Sequence, residues 1–237
     1  MKVFELHFNA KQNDKVFESF VLDNLYIAGE LKKALPQSKN FLRKISALLM
    51  EEHYKEGFQN ALRKTNEFLN QETKNGDIDW LGNLSLAALN LENFILNFTK
   101  VGDIKILLIR EGEILDIGEN LEFQDQDAHP SKVFSNTASG KLSAKDKILV
   151  LTREIFANLA VNKEILDQFK AVANEKDFKK IPKTNKQLFS ELSGLCLFLI
   201  MEDSQTRPIK LPRTFKTLVL VIALGLLLLI SYFIFST

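Results

Sequence analysis

Apolar and polar positions alternate, or apolar ones run together, through KVFELHFN (residues 2–9) and VFESFVLDNLYIAG (16–29). This period of two predicts two or three strands. From residue 40 the period lengthens. Phe41, Ile45, Leu48 and Leu49, then Phe58, Leu62, Thr65, Phe68 and Leu69, recur every three or four positions. That spacing predicts two helices, 39–54 and 56–73, broken near Lys55-Glu56-Gly57. Lys74-Asn75-Gly76-Asp77 is turn chemistry. Strands resume at GNLSLAALNLE, turn at Leu91-Glu92-Asn93, and continue through NFILNFTKVG, DIKILLIREG and EILDIG. Their short connections predict an antiparallel meander. Residues 119–146 are polar and irregular. KILVLT (147–152) predicts a strand, 153–159 and 163–173 helices, 176–186 a lysine-rich solvated linker or, as the alternative, a contact for anionic lipid headgroups, and GLCLFLIME a last strand.

Runs such as ILLI and ILVL predict strands buried on both faces. The amphipathic helices need apolar surface to cover. Two antiparallel sheets stacked together, with helices on both outer faces, meet both needs. The expected architecture is therefore an α+β, four-layer α-β-β-α sandwich over residues 1–206. Trp80, beside Asp79, is expected to pack at a sheet edge.

Past residue 206 the pattern changes again. Thr217 to Phe235, TLVLVIALGLLLLISYFIF, carries no charge. As a helix it would span ~28 Å, close to the hydrocarbon core of a bilayer. Arg207, Lys210, Arg213 and Lys216 precede it in a segment, 207–216, that also holds Pro208 and Pro212. Basic residues favour the cytoplasmic side. The expectation is a single-pass membrane protein with one C-terminal transmembrane helix, 217–235, and a cytoplasmic N-terminal domain. The N-terminus has no apolar stretch suited to a signal peptide.

Composition narrows the rest. Charged residues make up 26% and hydrophobic ones 46% of 237, as in globular domains. The 31 basic and 30 acidic residues nearly cancel, and residues 1–206 hold 27 basic against 30 acidic. No basic face for nucleic acid is evident. Cys196 stands alone inside an apolar run and reads as a buried small hydrophobe. One cysteine excludes a disulfide framework, and three scattered histidines do not make a zinc cluster.

The central meander carries a resemblance. Gly82 to Leu89, GNLSLAAL, and Leu96 to Ile114, LNFTKVGDIKILLIREGEI, are similar to the metal-dependent, PPM-type (2C-class) serine/threonine protein phosphatases. That family writes Gly-x-Thr, a strand, a strand ending in Val-Gly-Asp-Ser-Arg, then a strand and Asp-Gly-Glu. Gly140-Lys141-Leu142 and Asp146 to Thr152 resemble its strand leading into Ser-Asp-Gly-Leu. Residues 195–201 resemble the strand that closes its second sheet. The likeness covers about residues 25–201, with Val101-Gly102-Asp103 its most specific element.

The resemblance implies two divalent cations held by carboxylates, which activate a water for attack on phosphorus. Here the carboxylates are missing. Ala-Asp-Gly-x-Gly-Gly is matched by Ile27-Ala28-Gly29-Glu30-Leu31. Ser-Asp-Gly-Leu is matched by Thr152-Arg153-Glu154-Ile155, which puts a guanidinium where a ligand belongs. A fixed positive charge ~4 Å from a divalent cation repels it by several kcal/mol. The late Asp-Asn is matched by Glu191-Leu192-Ser193-Gly194. Asp103 alone persists as a candidate metal ligand, and a lone carboxylate is more simply a turn residue that accepts backbone N–H bonds. Gly102 and Gly112 read as turn glycines with positive φ.

Other chemistry is sparse. His53 lies on a predicted helix among Glu51, Glu52 and Tyr54 and reads as a solvated face residue. His129 precedes Pro130 in a polar loop. Ser135, Ser139 and Ser143 stand in no Gly-x-Ser-x-Gly turn, and no Gly-x-Gly-x-x-Gly or Walker sequence is present. These readings imply a membrane-anchored pseudophosphatase: a non-enzymatic binding or regulatory module without a cofactor, whose partners are the membrane and a phosphoprotein or kinase. The rival is an active, divergent phosphatase holding Mg or Mn through Glu30, Asp103, Glu154 or Glu191. A third reading is a structural anchor with an unrelated α+β domain.

Overall fold

The alternation in LYIAGEL places one strand between two apolar cores. In β3 (Leu25–Leu31), Leu25, Ile27 and Leu31 enter one core and Tyr26 and Ala28 the other. Successive side chains of a strand point to opposite faces, so a strand apolar at every position must be covered twice. The computed structural model describes residues 1–9, 14–34, 40–122 and 132–202. The predicted membrane span 217–235, the basic segment 207–216 and His129 lie outside them. No helix among the described residues is long and apolar enough to cross a membrane.

Residues 1–202 form one unit. One sheet has the order β1 (Lys2–Asn9), β10 (Ser193–Ile200), β9 (Lys147–Leu151), β6 (Lys105–Arg110), β7 (Glu113–Asp116). The other has the order β2 (Val16–Leu22), β3, β4 (Leu84–Glu92), β5 (Ile95–Val101), β8 (Ala138–Lys141). Every neighbouring pair is antiparallel. Inward residues of both sheets, including Tyr26, Leu89, Phe98, Ile106, Val150 and Leu197, make the middle core. Helices α1 (Phe41–Glu56) and α2 (Phe58–Lys74) cover the outer face of the β3-β4 sheet. Helices α4 (Arg153–Val161), α5 (Lys163–Ala171), α6 (Glu175–Thr184) and α7 (Lys186–Phe189) supply residues to the outer core of the β9-β10 sheet. The order α-β-β-α is the one expected.

The first helix break is chemical. Gly57 takes φ +84°, and its N–H donates to His53 O at 2.9 Å, ending α1 before α2 begins. Strand β10 is buried along its whole length. Leu195, Leu197 and Leu199 enter the middle core, while Cys196, Phe198 and Ile200 enter the outer one. Burial pushes the Cys196 thiol up. In its sheet β10 lies between β1 and β9.

Four expectations need correction. The lysine-rich stretch 176–186 is not a linker but α6 and the start of α7. Asn174 caps α6 by accepting the Asp177 N–H at 3.1 Å, and Phe178 and Ile181 anchor it in the core. The stretch 119–146 contains a short helix α3 (Glu119–Glu122) and β8, whose pairing with β5 is decided by tertiary contact rather than pattern. Trp80 is buried, not at a sheet edge. It stacks on Phe41 at 6.1 Å, and its indole N–H donates to Asp77 O. His53 is half-buried, with Nε2 2.9 Å from Asn24 Oδ1. Asn24 Nδ2 donates to Glu92 Oε1, so its Oδ1 must face the ring, and His53 Nε2 carries the proton. Burial holds His53 below the ordinary histidine value, against the pull of Glu92 and Asp23.

Candidate functional site

Register brings one end of both sheets together. The end of β3 lies beside the start of β4 (Glu30 opposite Ser85), which lies beside the end of β5 (Leu86 opposite Val101). In the other sheet the start of β6 and the start of β10 flank the end of β9, through Lys105 and Cys196 opposite Leu151. The loop from β5 to β6 carries Gly102 and Asp103, and α4 starts at Arg153 directly after β9. Every position where the resemblance calls for a metal ligand, Glu191 included, therefore falls at this end of the sandwich.

Gly102 is required there. It takes φ +67°, and a Cβ would stand 2.5 Å from Leu84 O and 2.7 Å from Ser85 Oγ. This close approach lets the Asp103 N–H donate to Ser85 Oγ at 3.2 Å. The buried Lys100 ammonium donates to Ile104 O at 2.8 Å across the same turn. Among the described residues no backbone N–H donates to the Asp103 carboxylate, contrary to expectation. Its Oδ2 instead accepts from Lys32 Nζ and from Arg153 Nη1, each at 2.9 Å. The hydrogen bond from Lys32, followed by that from Arg153, holds the Asp103 carboxyl below the ordinary aspartate value, against partial burial.

Glu154 is clamped in a similar way. Its Oε2 accepts from Lys15 Nζ at 2.9 Å, and its Oε1 accepts the Ser193 N–H at 2.8 Å. Glu30 differs. It is only 2% exposed, and among the described residues its Oε2 has no hydrogen-bond partner. Burial raises the Glu30 carboxyl above the ordinary value. Lys32 and Lys15 oppose that shift, and Glu154 and Asp103 add to it. Glu30, Asp103, Arg153 and Glu154 thus belong to one electrostatic cluster. Glu191 is exposed in the turn before β10 and takes part in none of these pairs. Sequence reasoning missed Lys15, Lys32 and Ser85. A search for cations two residues from an acidic position on a strand would have flagged Lys32, but Lys15 joins only through the fold.

A pair of divalent cations needs several free carboxylate oxygens converging on one point. At this end Asp103 and Glu154 are neutralised by three cations of the same chain, Glu30 is buried, and Glu191 is exposed and outside these pairs. Among the described residues no three His, Cys, Asp or Glu side chains are grouped so as to hold a metal ion. The residues present do not fit the binuclear centre that the resemblance implies.

Solved structures share this architecture. PppA, a key regulatory component of T6SS in Pseudomonas aeruginosa, superposes with a TM-score of 0.59 at 14% identity, over 83% of this chain and 96% of that one. The Mycobacterium tuberculosis serine/threonine phosphatase PstP gives 0.58 at 13% identity, over 85% and 98%. The S. agalactiae serine/threonine phosphatase gives 0.60 at 12% identity, over 85% and 99%. No protein-family model matches the sequence, and no curated protein matches it significantly. At such identities the likeness establishes the fold: two stacked antiparallel sheets flanked by helices, as in PPM-type serine/threonine phosphatase domains.

Proposed function

We propose that this chain is a pseudophosphatase, a PPM-fold binding module that performs no metal-dependent hydrolysis. The observation that carries the reading is the double ion pair on Asp103 Oδ2, from Lys32 and Arg153 at 2.9 Å each. The carboxylate that would recruit a divalent cation is already saturated by fixed positive charge. Arg153 is 67% exposed, so its guanidinium also faces solvent, where a planar fork of donors suits a phosphoryl or carboxylate group. A phosphoprotein or a kinase is the partner class that this chemistry favours. The apolar run 217–235 supports attachment to a membrane, with the domain on the cytoplasmic side.

One observation speaks for the rival reading of a divergent Mg- or Mn-dependent phosphatase: the orphaned Oε2 of Glu30. Isothermal titration of the full chain with Mn²⁺, beside hydrolysis of p-nitrophenyl phosphate, separates the two. The pseudophosphatase binds no Mn²⁺ at micromolar levels and releases no phosphate above a buffer blank, and Asp103→Ala changes its stability only. Stoichiometric Mn²⁺ binding with turnover that Asp103→Ala and a chelator both abolish refutes it.

A further inference from the structure

We infer that the lysine face of α6 is a docking surface for the anionic leaflet of a bilayer, and that it sets how the domain lies on the membrane. This rests on the reading of 217–235 as a membrane span. In α6, Phe178 and Ile181 are buried, while Lys176, Lys179, Lys180 and Lys183 are all exposed. At 3.6 residues per turn these four lysines fall within about 100° of arc, on the side of the helix away from Phe178. Lys186, at the start of α7, is exposed too. Asp177 is drawn aside into the cap, where its Oδ2 accepts from Asn174 Nδ2 and from the Ala173 N–H. Glu175 pairs with Lys179 alone.

The position of the patch selects the bilayer as its occupant. Lys2 Nζ donates to Ala173 O, just before α6, and lies 3.5 Å from Glu202 Oε1. Glu202 also holds the N-terminal ammonium at 2.6 Å. The chain therefore leaves the described domain beside the first turn of α6. Arg207, Lys210, Arg213 and Lys216 follow in sequence, then the uncharged run from Thr217. The 14 residues from 203 to 216 reach at most ~50 Å when extended. A tether of that length confines the domain near the surface without choosing a face. A basic stripe beginning at the tether makes the choice, because an anionic leaflet attracts each nearby basic residue by about 1 kcal/mol, a factor of ~5 in partition.

The test uses the full chain reconstituted in vesicles of phosphatidylcholine, with or without phosphatidylserine. Lysine acetylation is read by mass spectrometry and membrane attachment by flotation. Expected is slowing of Lys176, Lys179, Lys180 and Lys183 by several-fold with phosphatidylserine only, reversed by high salt, while exposed Lys44 and Lys74 on α1 and α2 keep one rate. The variant Lys180→Glu/Lys183→Glu should float as before yet lose the protection of Lys176 and Lys179. Equal rates in both vesicles, or protection shared by Lys44 and Lys74, overturns the docking surface while flotation still reports attachment. A chain that floats with neither vesicle overturns both readings.

Discussion

Replacing Glu30 with glutamine probes the one buried acid at the candidate site. Glu30 is 2% exposed, its Oε2 lacks a partner, and burial raises its carboxyl above the ordinary value. A buried acceptor without a partner costs about 1–3 kcal/mol, more when charged. Lys32 and Lys15 recover part of that, so Glu30→Gln should gain about 1 kcal/mol where Glu30 is ionised. For a domain of this size that is about 2–4 °C in Tm. The sign follows from linkage. A carboxyl with a raised folded pKa contributes stability that is present below the unfolded value, about 4.3, and is lost as pH rises through the folded value. Wild type therefore weakens over that window, whereas the glutamine variant has no proton to lose there. Thermal melts of both proteins from about pH 4 to pH 8 measure the difference. It should be near zero at the acid end and reach its plateau above the raised value. A variant that melts lower than wild type at about pH 8, and equally at about pH 4, refutes the reasoning. In that case the ionised carboxylate would be a working partner of Lys15 and Lys32.

Three further substitutions test the frame of the domain. Gly102→Ala forces both a left-handed backbone and a clash with Leu84 O, so it should cost about 3 kcal/mol in urea denaturation. Gly112→Ala, at φ +84° with open space around it, should cost only about 1 kcal/mol, and equal losses would remove the clash from the account. Phe178→Ala removes a fully buried ring stacked at 5.4 Å on Phe198 and should cost about 3–5 kcal/mol, read as a lower urea midpoint at unchanged slope.

The layers were legible because burial on two faces leaves a plain pattern. β3, β4, β9 and β10 read as apolar runs, and α1 and α2 as three-and-four repeats. β8 (ASGK) was not legible, since its four residues have no apolar period and pair with β5 only in the assembled sheet. α6 was hidden by its composition: six charged residues and Pro182 mask a helix anchored by Phe178 and Ile181. At the site, the absence of a carboxylate that the resemblance implies, with Arg153 in its place, could be read from Thr152-Arg153-Glu154. The partners of the remaining acids could not. Lys15 lies 139 positions from Glu154, and Lys32 71 from Asp103, so the first pair exists only once both sheets stack and the second only once β3, β4 and β5 have paired. His53 and Trp80 were misread for a related reason. Their surroundings come from Asn24 and Phe41, which the local sequence does not reveal.

Strand β10 begins at Ser193, whose N–H grips Glu154, and ends at Ile200, two residues before the clasp of Met1 on Glu202. It is matched by eight residues of β1 and five of β9. Ladder bonds in antiparallel sheets run perpendicular to the strands, so tension applied beyond Glu202 must shear these rungs together instead of unzipping them singly. Once the terminal clasp gives way, such a load passes along β10 toward the Glu154 clamp. The strand is built as a tie rod: slack at one end is felt at the other, with the phenylalanines around Phe198 as its bearing.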